Sequence, residues 1–197
     1  MHAPESVVEK YDGVYDEGYD PIRKFRYENA IKQGVLESKW KMSPPVKNWE
    51  KFEHKEWDIR CMEVYAAMVD RMDEGIGRIV KAIEDAGAME NTIIVFWSDH
   101  GYFLGEKGLW YKRKAFERSA RMPLIISVPG MSQNQHTNKP VELVDLYPTL
   151  ADLCDLEAPA NLEGQSLRPL LDDPETTTWT KPAVTQVWHN QIGRAHV

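Results

Sequence analysis

Between residues 55 and 86 apolar side chains recur every three or four positions, at Cys61, Tyr65, Met68, Met72, Ile76, Ile79 and Ile83. That period lays them along one side of an α-helix, so the segment is predicted as one long amphipathic helix with Gly87 as its stop. The pattern then changes. Residues 92–97 (TIIVFW) make a continuous β-rich apolar run, and residues 123–128 make a second one closed by Pro129 and Gly130. Runs that are apolar on both faces suit buried parallel strands between helix layers. Residues 141–156 return to the helical period through Leu143, Leu146, Leu150 and Leu153, and Pro148 sets the helix start near Asp145. Residues 166–171 read as a short helix ended by Asp172, Asp173 and Pro174, and residues 181–188 (KPAVTQVW) as a last strand. Ahead of all these, residues 5–54 are polar, aromatic-rich and broken by Pro21, Pro44 and Pro45, which reads as short helices and long loop. No internal repeat is present. Helix, strand, loop, strand, helix is an α/β order, with a central, mostly parallel sheet flanked by helices.

Composition narrows the function without naming it. The chain of 197 residues is long enough for one substantial domain with a real core. A net charge of −7 argues against a nucleic-acid binder, while leaving room for a local basic pocket that takes an anion. Cys61 and Cys154 form neither a metal pattern nor a disulfide framework. The apolar runs are far shorter than a membrane span, and no signal peptide is visible.

The chemistry gathers in residues 98–112 (SDHGYFLGEKGLWYK), immediately after the first predicted strand. In open α/β sheets ligands sit outside the carboxyl ends of strands, where Asp99 and His100 would lie. A carboxylate next to an imidazole makes a plausible half of a metal site, although a cation needs more than two ligands. Spacing alone slightly favours the other reading, in which Asp99 caps a turn and His100 packs at its edge. Gly101, Gly105 and Gly108 permit close approach to a ligand, as they would in any irregular loop. Lys107, Lys112, Arg113 and Lys114 form a positive cluster, one member of which can neutralise a bound oxyanion. The alternative is a solvated basic loop. Trp40, Trp49, Trp110 and Tyr111 can stack on sugar or aryl rings, or simply be packed aromatics.

The stretch NTIIVFWSDHGYFLGEKGLWYKRKAFERSARMPLIISVPG, followed by VELVDLYPTLADLCDLEAPANLEGQSLRPLLDDP, resembles the carboxyl-side half of sulfatases. The nearest branch is the arylsulfatase and iduronate-2-sulfatase-like one of the alkaline-phosphatase superfamily. The resemblance runs from about residue 55 to 186, and more loosely back to His2. It implies an alkaline-phosphatase-like fold, incomplete here at both ends. Residues 1–191 are accordingly expected to be the carboxyl-side part of a sulfatase catalytic domain. Residues 192–197 (IGRAHV) translate one frame of a common sequencing adapter and are expected to be read-through.

The resemblance also implies roles for particular residues. The Asp-His pair of the turn, Asp99 and His100, would bind a calcium ion. Manganese or zinc suits an imidazole ligand better. A lysine eleven places before the proline of the following strand contacts the sulfate in the family, which selects Lys112 over Lys107 and Lys114. His2 matches a histidine of a His-Ala-Pro-like turn that also contacts the sulfate. Glu117 matches a common acidic position read as structural. Family catalysis uses a formylglycine made from a Cys-x-Pro/Ala-x-Arg motif, and neither Cys61 (CMEVY) nor Cys154 (CDLEA) fits it. The nucleophile is therefore expected upstream, together with an acidic pair completing the metal site, and the chain alone is expected to be inactive. The implied partner is a sulfated small molecule or glycan, with no nucleic acid and no membrane span, in a periplasmic, extracellular or lysosomal setting. Two alternatives stand beside this reading. One is a phosphonate or phosphate diester hydrolase on the same fold, and the other a non-catalytic relative that binds anionic glycans.

Overall fold

The helix predicted over residues 55–86 is present as the longest element of the chain. In the computed structural model, which describes residues 2–45, 48–104, 107, 109–112 and 114–187, the chain divides into two compact units, Met1–Gly87 and Ala88–Val197. The adapter-like residues 192–197 lie outside the described residues.

The first unit holds α1 (Glu5–Val8), α2 (Tyr19–Lys32) and α3 (Lys55–Asp85). Glu56 and Asp58 in the first turn of α3 complement the positive end of its dipole. Gly87 ends the helix at φ 64°, donating its N–H to the carbonyl of Glu84 at 2.8 Å, a left-handed stop that a β-carbon would disfavour. A small core forms where Val7 and Val8 of α1 bury against Ala67 of α3, with Ala3, Tyr11 and Val64 around them. Burying each valine contributes roughly 1.5–3 kcal/mol. Arg60 ties the two helices further, pairing with Glu5 at 2.5 Å and with the buried Glu63 at 3.2 Å. The apolar stripe that reveals α3 in the sequence is not its buried side: Tyr65, Met68, Met72 and Ile79 are exposed. Helix α2, at 14 residues, is longer than the short helices expected in this region. Trp49 packs with Tyr19 and Phe52 (ring centroids 5.3 and 5.0 Å), so it is a packed aromatic.

The second unit holds β1 (Ile94–Trp97), β2 (Phe103–Leu104), β3 (Trp110–Tyr111), α4 (Glu117–Ala120), β4 (Leu124–Ser127), α5 (Leu146–Leu153) and α6 (Arg168–Asp172). Strands β1 and β4 pair, with Ile94 opposite Ser127 and Trp97 opposite Leu124. Their pairing is antiparallel, whereas the apolar runs had suggested parallel strands. The reason lies in the connection. A parallel crossover normally needs a substantial helix between the strands, and the described residues of the link carry the β2–β3 hairpin and the four-residue α4. On one face of β4, Leu124 and Ile126 pack with Val141 against the buried Leu167, Leu170 and Trp179.

Helix α5 starts at Leu146, as Pro148 required, after a 3-10 turn at Leu143–Asp145. Glu142 and Asp145 form a reciprocal capping box there. Asp145, with no exposed surface, also accepts the N–H of Gln165 at 2.9 Å. Thr149, equally buried, accepts the N–H of Leu167 at 2.8 Å, so the chain entering α6 is pinned onto α5 by buried polar groups that all find partners. The last strand expected over residues 181–188 is absent across 181–187, Trp188 lying outside the described residues. Side chains, not a ladder, hold that segment: Lys181 binds Glu142 at 2.8 Å and Asp145 at 2.5 Å, and the Val184 N–H donates to Glu142 at 3.0 Å.

Candidate functional site

Residues 98–101 form the turn that leaves β1, and its closure begins with Ser98. The Ser98 hydroxyl donates to the carbonyl of His100 at 2.8 Å, which closes the turn locally. The Asp99 side chain stays 78% exposed, and its Oδ2 stands 3.1 Å from Nε2 of the half-buried His100. The other ring nitrogen, Nδ1, meets the carbonyl of Gly101 at 2.8 Å. With the ring neutral, Nδ1 carries the proton that the Gly101 carbonyl accepts, and Nε2 presents its lone pair. In that tautomer two acceptors, one from each side chain, face each other across 3.1 Å and need a positive charge.

Lys112 supplies it in this structure, with Nζ 2.5 Å from His100 Nε2. The lysine is delivered by β3, which pairs with β2 in the register Phe103 to Tyr111 and Leu104 to Trp110. Tyr111 takes φ 71°, a left-handed backbone uncommon for a large side chain, directly before Lys112. Its ring meets that of Tyr102 edge-on at 6.2 Å across the hairpin. Phe103, the largest fully buried side chain among the described residues, anchors the same hairpin against the ring of Phe116 at 6.3 Å. Lys107 is engaged elsewhere, its ammonium 5.1 Å from the centre of the Phe116 ring. Of the lysines weighed in the sequence, Lys112 is the one whose ammonium meets His100. Gly105, Gly108, Arg113 and the Trp110 side chain lie outside the described residues.

Gly101 completes the turn. Its N–H donates to the carbonyl of Ser119 at 2.9 Å, and a β-carbon on it would lie 2.1 Å from the carbonyl oxygen of Arg118. Only glycine permits that approach. His2 is exposed and belongs to the first unit, whereas Asp99, His100 and Lys112 belong to the second. Glu117 opens α4, and its main-chain carbonyl accepts the N–H of Arg121 at 2.8 Å. Ser98 was read only as part of the turn, and Ser119 not at all. A Ser-x-His spacing is a usable turn signal for the first, whereas the second is brought in only by tertiary contact.

A cation fits part of this arrangement. Two donors about 2.4 Å from an ion and at right angles to each other stand about 3.4 Å apart, close to the observed separation of Asp99 and His100. The exposed carboxylate and the imidazole lone pair thus suit two neighbouring corners of a coordination shell. Among the described residues no group of three or more His, Cys, Asp and Glu gathers to close such a shell. No described helix is long and apolar enough to cross a membrane.

Comparison with known proteins gives a consistent set of likenesses. A family model described as Sulfatase matches residues 1–156. An N-acetylglucosamine-6-O-sulfatase of Bacteroides thetaiotaomicron is 34% identical over 183 residues, covering 91% of this chain and 29% of that protein. The solved structure of BT4656 in complex with its substrate, D-glucosamine-2-N,6-O-disulfate, is 32% identical with a TM-score of 0.58, over 80% of this chain and 29% of that one. A phosphonate monoester hydrolase of Silicibacter pomeroyi is 31% identical with a TM-score of 0.60, over 67% of this chain and 26% of that one. The chain thus spans less than a third of the length of these relatives.

Proposed function

The chain belongs to the sulfatase family, and on that premise we propose that it is the carboxyl-side part of the catalytic domain of a sulfuric ester hydrolase acting on a sulfated carbohydrate or aryl sulfate. The observation that carries this reading is the meeting of the Asp99 carboxylate and the His100 ring, in the turn that leaves β1, with the Lys112 ammonium brought to His100 Nε2 by β3. Hydrolysis breaks the bond between sulfur and the ester oxygen while a nucleophile adds to sulfur, and negative charge grows on the oxygens. A lysine ammonium held at that point opposes the charge where it develops. Lys112 is accordingly the group proposed to bind the sulfate, and Asp99 and His100 the pair proposed to hold a divalent cation, calcium first among the candidates. When bound, that cation would add Lewis-acid polarisation of the sulfate oxygens.

His2 is proposed, on the family resemblance, to hydrogen-bond the sulfate or protonate the leaving oxygen, a task suited to a side chain that titrates near neutrality. The nucleophile is proposed to be a formylglycine contributed by sequence other than these 197 residues. Sulfated glucosamine chemistry, in the name of the Bacteroides relative and in the substrate of the BT4656 structure, supports a sulfated glycan as the substrate class.

A second reading is favoured by the phosphonate monoester hydrolase likeness and by the imidazole in the turn, which suits manganese or zinc. The complete protein that carries this chain should be assayed with a sulfate monoester and a phosphonate monoester of the same alcohol. Faster hydrolysis of the sulfate ester is the expected result. Preference for the phosphonate moves the protein to the second reading, and turnover of neither ester overturns both.

A further inference from the structure

The two halves of the proposed site come from segments twelve residues apart, brought together at one end by the β2–β3 pairing. A further residue, outside that hairpin, touches both sides. Ser119, buried in α4, accepts the Gly101 N–H through its main-chain oxygen at 2.9 Å and the Lys114 N–H through its hydroxyl at 3.4 Å. Gly101 follows His100 directly, and Lys114 lies two residues after Lys112.

We propose that Ser119 is a positioning residue for the proposed sulfate site, its carbonyl holding the Asp99–His100 turn and its hydroxyl holding the loop of Lys112. The inference rests on the sulfatase reading of those residues. Its own support is geometric. Ser119 is itself braced: its N–H donates to the Phe116 carbonyl at 2.8 Å, and Phe116 packs on the buried Phe103 at the root of the hairpin. The missing β-carbon of Gly101 lets the turn come against the carbonyl of Arg118, so the turn and α4 touch backbone to backbone. A serine is suited to this place because it is small enough to be buried and still offers a side-chain acceptor. A displacement near 1 Å in a catalytic group lowers turnover by about a hundredfold, so a weak bond at this joint has a large chemical effect.

The test uses the complete protein that carries this chain, with nitrogen-15-labelled histidine and backbone. In Ser119→Ala the hydroxyl acceptor is gone, so exchange of the Lys114 amide should rise about fivefold or more. The His100 Nε2 resonance should move toward its position in Lys112→Ala. Ser119→Thr keeps the hydroxyl and should restore both signals, which a purely space-filling role would not predict. A His100 resonance unmoved by Ser119→Ala but displaced in Lys112→Ala overturns the positioning role and leaves the proposed site standing. A resonance unmoved in Lys112→Ala as well overturns the contact between Lys112 and His100, and the inference falls with the site. Should Ser119→Ala fail to fold, Ser119→Thr decides alone: loss of Lys114 protection in that variant overturns the inference.

Discussion

Lys181 places its ammonium 2.5 Å from the carboxylate of Asp145, a side chain with no exposed surface, and 2.8 Å from that of Glu142. The contact joins positions 36 residues apart and fastens the segment after Trp179 to the start of α5. Asp145 keeps two backbone donors in any case, the N–H groups of Glu142 and Gln165. Replacing Lys181 with Met leaves a buried carboxylate without its counter-charge, for which a loss of about 3 kcal/mol is expected. Urea unfolding of the variant should show a lower midpoint with an unchanged slope. An unchanged midpoint would mean that Asp145 is satisfied by its backbone donors alone.

The same cluster sets a pH window. The hydrogen bond from Lys181, and then the Val184 N–H, hold the Glu142 carboxyl below its ordinary value of 4.5. Burial works against the charge on Lys181, but the hydrogen bonds to Asp145 and Glu142 outweigh it and hold the ammonium above 10.5. The contribution of Glu142 is therefore complete above about pH 4.5 and lost as pH falls through its lowered value. That of Lys181 is complete below about pH 10.5 and lost as pH rises through its raised value. Protection of the Val184 amide, corrected for intrinsic exchange, should be level between those limits and drop on either side. A protection factor that is flat into strong acid would count against the Glu142 anchor.

Lys112→Ala in the complete protein should lower turnover of a sulfate ester by orders of magnitude while leaving the thermal midpoint nearly unchanged, because the lysine is exposed. Near-normal turnover would remove Lys112 from the chemistry.

Gly101→Ala should act differently, through structure. Its β-carbon would meet the Arg118 carbonyl oxygen, a backbone atom that cannot swing aside as a side chain can. A loss of roughly 1–3 kcal/mol is expected from the forced separation of the turn from α4. Chemical denaturation measures it, and a variant as stable as the parent would show that α4 is free to move.

The 197-residue chain by itself should hydrolyse no sulfate ester, since it contains no Cys-x-Pro/Ala-x-Arg motif. Any turnover of a sulfate monoester by the purified chain, abolished in Lys112→Ala, would require a nucleophile within these residues.

What could be read along the chain was local. The period of Cys61, Tyr65 and Met68 predicts α3 to within a residue or two, because helical winding follows from spacing alone. It misplaces the buried side, since α1 seats Val7 and Val8 on Ala67, a methyl too small to mark a face in an apolar pattern. The alternation in residues 181–187 imitates a strand, yet a lysine matched to two distant acids decides its course. Two-residue strands such as β2 and β3 are too short to carry a period, so the hairpin that delivers Lys112 was not foreseen. Asp99, His100 and Lys112 were singled out by residue type and family resemblance. Their meeting at Nε2 is a matter of folding.

The exposed stripe of α3 carries two thioethers, Met68 and Met72, on a surface that solvent reaches. Peroxide converts such side chains to sulfoxides at rates that follow their accessibility. The helix therefore holds its own chemical footprint. A mass increase confined to the peptide containing these two methionines reports how open that face is, and its suppression reports anything that comes to lie upon it.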